Sequence, residues 1–280
     1  MPNSLTKASI PTPARLSLGN TSPTISTADH LRFQLDHAQA RDAVHAQLDV
    51  PLLEAGLRAH NLQPIHLRSA APTRALYLRR PDLGRTLHPD SITALQTAAI
   101  STAAKHSGET PVFGTSDHAG APRLASETWV ESPQDPRTLI LLADGLSSLA
   151  LERHALPLLD SVLPLIPDPL PLIPILTNAR VALADPIGTL LHAGITILLI
   201  GERPGLSSPD SLGVYITWQP RSGRTDAERN CISNIRGDAG LSYTEAAHRI
   251  AHYIREATRH QTTGIALKDP DTTLLSSPSL

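Results

Sequence analysis

The chain holds one cysteine, two phenylalanines and two tryptophans in 280 residues. A single thiol closes no intrachain disulfide and builds no cysteine-rich zinc site, which agrees with a reducing compartment. Charge of one sign is lacking too. With 24 basic and 26 acidic side chains the formal net charge is -2, so there is no polybasic footprint for nucleic acid or an anionic membrane. No long apolar run is free of breakers: residues 156–176 carry Asp160, Asp168 and six prolines, which would break a spanning helix and leave backbone groups unsatisfied in lipid. Walker A, G-x-G-x-x-G and H-E-x-x-H patterns are absent, which removes the commonest phosphate cradles and the zinc-protease signature.

What remains is a chain 40% hydrophobic and 18% charged, long enough for a core and one or two domains. Residues 1–27 read as an irregular arm rich in Pro, Ser and Thr. Their only basic residues, Lys7 and Arg15, are few for a transit peptide. The S-T-A-D segment at 26–29 starts a helix with Leu31, Leu35 and Ala38 at helical spacing, and a mainly helical region spans 28–103, with breaks at Pro64 and Pro81. Residues 104–136 form a Pro/Gly/Ser-rich loop insertion.

From 137 to 269 strands alternate with helices. Apolar runs at 138–143, 172–176, 195–200 and 213–218 predict strands, 146–156 a helix that Pro157 ends or kinks, and 186–192 a short helix. The fold class expected is α/β, a Rossmann-like, mostly parallel sheet flanked by helices and preceded by the smaller helical region. S-Y-T-E at 242–245 is a capping box before Ala246, Ile250, Ile254 and Ala257 on one helix face. Residues 270–280 read as a flexible tail, and the final S-P-S-L does not match the peroxisomal S-K-L signal.

The densest chemistry lies in I-G-E-R-P-G-L-S-S-P-D-S-L-G-V-Y-I-T-W, residues 200–218, and R-T-D-A-E-R-N-C-I-S-N-I-R, residues 224–236. Glu202 and Arg203 occupy a Gly/Pro-framed turn directly after a buried strand, where open α/β sheets bind ligands. Glu202 can accept hydrogen bonds from amides and Arg203 can pair with a phosphate or a partner's carboxylate; a simple ion pair or turn cap is the bland alternative. Cys231 falls in a second polar loop, with Asn230, Ser233 and Asn234 as amide-binding neighbours. It reads as a buried packing residue ahead of a nucleophile activated by His192 or Arg229.

Ser147, in G-L-S-S-L, has the layout of a nucleophile elbow, yet Leu149 stands where the second glycine belongs; a helix cap is the favoured reading. His248 and His252 are four apart but lack a third ligand motif. Arg74, Arg79, Arg80 and Arg85 are dense enough to dock a partner or to fix carboxylates.

The two site segments resemble the light chain of ethanolamine ammonia-lyase. So do F-Q-L-D-H-A-Q-A-R-D-A-V-H at 33–45, S-A-A-P-T-R-A-L-Y-L-R-R-P-D-L-G-R at 69–85, A-D-G-L-S-S-L-A at 143–150 and G-I-A-L-K-D at 264–269. The resemblance implies an ammonia-lyase subunit that depends on adenosylcobalamin, contacts it through Val181, Glu202 and Cys231, and works with a heavy chain that binds most of the ethanolamine. No D-x-H-x-x-G segment occurs, in keeping with a family that binds cobalamin with its own base on the metal. The resemblance further implies no catalytic acid, base or nucleophile and no protein metal ligand in this chain, and a cytoplasmic or microcompartment location. A non-enzymatic ligand- or partner-binding α/β module is the rival reading, with a serine hydrolase behind it.

Overall fold

A computed structural model describes residues 26–107, 137–167 and 169–267. The arm before residue 26, most of the 104–136 segment and the 270–280 tail lie outside the described residues. Strands β1 (Gln63–Arg68), β2 (Thr138–Ala143), β3 (Leu172–Thr177), β4 (Ile195–Gly201), β5 (Leu212–Trp218) and β6 (Asn230–Ile235) form one sheet in the order β1-β3-β2-β4-β5-β6. The helices are α1 (Thr27–His45), α2 (Val50–Ala59), α3 (Arg74–Arg79), α4 (Pro89–Ser107), α5 (Ser148–Val162), α6 (Ala184–Leu190) and α7 (Tyr243–His260).

The α/β architecture with an N-terminal helical region is as expected, but "Rossmann-like" needs correction because the sheet is mixed. β1, β3, β2 and β4 pair in parallel, whereas β5 is antiparallel to both β4 and β6. The cause is loop length: residues 202–211 hold no helix, and without a crossover the chain can only fold back beside β4 as an antiparallel neighbour. A second departure is β1, which lies inside the stretch read as helical. It is an edge strand, the place where Pro64 costs no ladder bond on its open side. β6 falls where the sequence predicts a polar loop, because a bulge interrupts its alternation.

β2 and β4 are buried at every position, as runs covered on both faces must be. On one face α2, α5 and α7 pack through Leu53, Leu57, Leu151, Leu158, Ile250 and Ile254. On the other, α4 and α6 cover the parallel part of the sheet through Leu95, Ala184 and Ile187. Ser147 caps α5, accepting from the Ala150 N–H, and α5 runs through Pro157 to Val162, its tertiary burial outweighing the lost hydrogen bond. Ser242 caps α7, but Glu245 turns to Arg249 in place of closing the capping box. In α1 only Ala43 is buried, and Leu31 and Leu35 are exposed, so the helical spacing read there makes a helix without a covered face. No helix among the described residues is long and apolar enough to cross a membrane.

Candidate functional site

Glu202 directly follows β4, and its N–H donates to the Ser211 carbonyl at 2.9 Å, closing the loop at the start of β5. Its carboxylate is held by three donors. The Ser211 hydroxyl donates to Oε2 at 2.5 Å, the Ser233 hydroxyl to Oε1 at 2.5 Å, and the Asn234 N–H to Oε2 at 3.2 Å. The last of these exists because of the bulge: three steps on β6 oppose two on β5 between Leu212 and Val214, and Asn234 adopts φ 62°. A bulge releases an N–H from the ladder and re-aims side chains. A carboxylate offers about four acceptor positions, so one remains on Oε1 for an incoming amide.

The side chain lies across Gly213, where an added Cβ would stand 2.8 Å from Oε1. Cross-strand pairing sets Leu198, Tyr215 and Cys231 side by side, and side chains in register share a face. Val181, in the short 3-10 turn Val181–Leu183 before α6, is partly buried against the same apolar cluster that holds Leu198 and that Tyr215 packs against. Over β5 and β6 the helical cover thins, leaving Cys231 and Ser233 exposed and Tyr215 half-buried. Burial, reinforced by Cys231 and Glu202 close by, pushes the Tyr215 phenol upward, so it stays neutral.

Cys231 is thus exposed on an edge strand, which corrects its reading as a buried packing residue. Among the described residues no further strand pairs along the outer side of β6, which meets only Leu241 at its end. Arg229 does not activate it. Its Nη1 and Nη2 donate to Asp185 Oδ1 and Oδ2 at 2.8 and 2.6 Å, with Nη1 also reaching the Thr217 hydroxyl. This buried fork ties α6, which follows Val181, to the strand that carries Cys231. Asn230 is likewise spent internally, exchanging hydrogen bonds with Gly264, so it is not an amide-binding neighbour. Ser233 and Asn234 do face the site, through Glu202. Arg203 is exposed.

The crevice between the loops after β2 and β4, where the order of connection reverses, is sealed. Gly145, at φ 54°, packs so closely that a Cβ would meet the Gly201 carbonyl at 2.1 Å, a separation no side chain tolerates. The Leu146 N–H bonds the same carbonyl. Beside this seam Asp144 accepts from the Asn178 and Ala179 N–H groups at 2.8 and 3.1 Å and from Arg74 at 3.3 Å. Its burial nevertheless outweighs these and pushes its carboxyl up to about 6. Arg74 also donates to the Val44 and Gly145 carbonyls, so of the four arginines it fixes a carboxylate and joins α1, α3 and β2. Arg80 pairs with Asp82, while Arg79 and Arg85 are exposed.

Ser147 is fully buried and its hydroxyl donates to the Pro209 carbonyl at 2.9 Å. It is the helix cap and lacks the exposure a nucleophile needs. His248 Nδ1 contacts the Thr244 carbonyl of its own helix, and no group of three or more His, Cys, Asp or Glu among the described residues could hold a metal. Reading the sequence missed Ser211, Gly213 and Tyr215 as parts of the site. Only pairing of β5 with β4 and β6 shows that they face Glu202 and Cys231.

The family model described as ethanolamine ammonia-lyase light chain matches residues 2–107 and 114–268. A protein of Azotobacter vinelandii named ethanolamine ammonia-lyase small subunit is 48% identical over 261 residues, 92% of this chain and 85% of its own length. Proteins of the same name from Xanthomonas campestris pv. campestris and Pseudomonas putida are each 45% identical over the same shares of both chains.

Proposed function

From the membership of this chain in the ethanolamine ammonia-lyase light-chain family, we propose that it closes the adenosylcobalamin site of a heterooligomer formed with the heavy chain. In this reading the assembly converts ethanolamine to acetaldehyde and ammonia, and residues 137–269 make the cofactor contacts. The chemistry the cofactor supplies when bound is homolysis of its cobalt-carbon bond to give an adenosyl radical. Everything assigned to this chain is binding and orientation.

The observation that carries the reading is the state of Glu202: a carboxylate aligned by three donors at the end of β4, with one acceptor position still open. Such a group suits a ligand rimmed with amides, because each amide N–H needs a fixed acceptor and the carboxylate strengthens the bond. Cys231 and Ser233 present a small, polar, unobstructed strand surface beside it, on which a flat macrocycle or its arms can lie without displacing a helix. Val181 adds an apolar edge and main-chain groups. The residues therefore fit the cofactor. No general acid, base or nucleophile is assigned here, so the isolated light chain is inactive. Its proposed setting is the cytoplasm or a bacterial microcompartment.

The test is ethanolamine deamination by the light chain alone and mixed with a cognate heavy chain, with and without adenosylcobalamin. Acetaldehyde should form only in the complete mixture. Glu202→Ala, which removes a charge-assisted acceptor, should raise the cofactor concentration needed for half-maximal rate by about ten-fold or more. Chains that do not co-elute, or a variant with unchanged cofactor demand, would overturn the assignment.

A further inference from the structure

We propose that Asp210, through its ion pair with Arg236, is the positioning residue that holds the Glu202 carboxylate in its ligand-accepting orientation. This rests on the reading of Glu202 as a cofactor contact. The three donors to Glu202 come from two places in the chain: Ser211 at the start of β5, and Ser233 with Asn234 in the bulge of β6. The β5–β6 ladder is interrupted at the bulge and resumes beyond it with only the Leu212–Ile235 pair, so the relative placement of the two sets of donors depends on what braces that last pair.

Asp210 and Arg236 stand just outside these two segments and join them. Arg236 Nε donates to Asp210 Oδ1 at 2.9 Å, with the two side chains only 10% and 12% exposed. The other oxygen, Oδ2, accepts from Arg153 Nη1 of α5 at 2.8 Å and faces His154 Nε2 at 3.5 Å. One residue earlier, the Pro209 carbonyl is held by the Ser147 hydroxyl. The end of the Glu202 loop is therefore pinned to α5 and to β6 within two residues of Ser211. Burial pushes the Asp210 carboxyl up, but Arg153 and Arg236 outweigh it and hold the carboxyl below its ordinary range. A low-exposure pair resists water and keeps a defined geometry, unlike an ion pair at the open surface.

Gly213 supplies an independent handle on the same carboxylate. A methyl group there would meet Oε1 and Cγ of Glu202 at 2.8 and 3.1 Å and nothing else so close. The far end of a flexible side chain can yield to it, so Gly213→Ala should move the carboxylate while leaving the fold in place.

The experiment uses the heavy-light complex and titrates it with hydroxocobalamin, following bound corrinoid by equilibrium dialysis, alongside the melting temperature and the rate at saturating adenosylcobalamin. Asp210→Asn and Gly213→Ala should each weaken corrinoid binding about ten-fold, and for Asp210→Asn the rate at saturation should stay within about two-fold. Gly213→Ala should lose no more stability than Glu202→Ala does, since both disturb the same hydrogen bonds. In a Glu202→Ala background neither change should weaken binding further, which a general structural loss would not reproduce. If Glu202→Ala weakens binding while Asp210→Asn and Gly213→Ala do not, the positioning role is refuted. If Glu202→Ala itself binds as wild type, the underlying reading of the site falls.

Discussion

Asp185→Ala is the sharpest test of how the candidate site is held together. Arg229 and Asp185 side chains are 1% and 2% exposed, and the guanidinium spends two N–H groups on that carboxylate. After truncation the cation keeps the Thr217 hydroxyl and the Arg224 carbonyl. Its nearest remaining carboxylate, Asp226, is 3.8 Å from Nε and almost fully exposed. Removing one partner of a buried pair costs about 3–5 kcal/mol, because the other charge stays buried without compensation. For a chain of this size that is a fall in melting temperature on the order of 10 °C. Chemical denaturation of the purified chain supplies the free energy and calorimetry the temperature. The double change Asp185→Leu with Arg229→Met should recover most of the loss, since it removes the stranded charge and keeps the volume. A single-variant cost below about 1 kcal/mol, the range of exposed pairs, would refute the picture of a sealed fork between α6 and β6.

Asp144 gives a pH prediction of definite sign. Its carboxyl is raised from 3.8 to about 6 in the folded state, so the stability it contributes is fully present only well below 3.8 and is lost as pH rises through about 6. The stability of wild type relative to Asp144→Asn should therefore fall by about 2 kcal/mol between pH 4 and pH 7, measured as paired urea midpoints; a difference that grows with pH would show the Arg74 contact dominating instead. Ser147→Ala should cost about 1–3 kcal/mol through the lost cap and the lost bond to Pro209. It should leave any background ester hydrolysis unchanged, and abolition of such turnover would revive the nucleophile-elbow reading.

The strands most legible in the sequence were those buried on both faces. Residues 195–200 and 138–143 are continuous apolar runs between turn residues, and β4 and β2 occupy nearly those bounds. Caps were legible for the same local reason: a hydroxyl at Ser147 or Ser242 reaches an N–H three residues on, whatever the rest of the chain does. β1 and β6 escaped because an edge strand with exposed positions carries polar residues and so shows no continuous apolar run. The bulge at Ser233 and Asn234 also breaks the two-residue period by which a strand is recognised.

By itself, then, the sequence determined the alternation of strands and helices, the caps, and the motif blocks that mark the family, all properties of neighbouring residues. Only the tertiary structure decided that β5 turns back antiparallel and that Gly145 and Gly201 close the crevice between β2 and β4. It also decided that Glu202 meets donors from Ser211 and, 31 residues along the chain, from Ser233. Those contacts join segments whose separation in sequence is bridged by strand pairing, and the register of that pairing is set by which faces the whole sheet can bury.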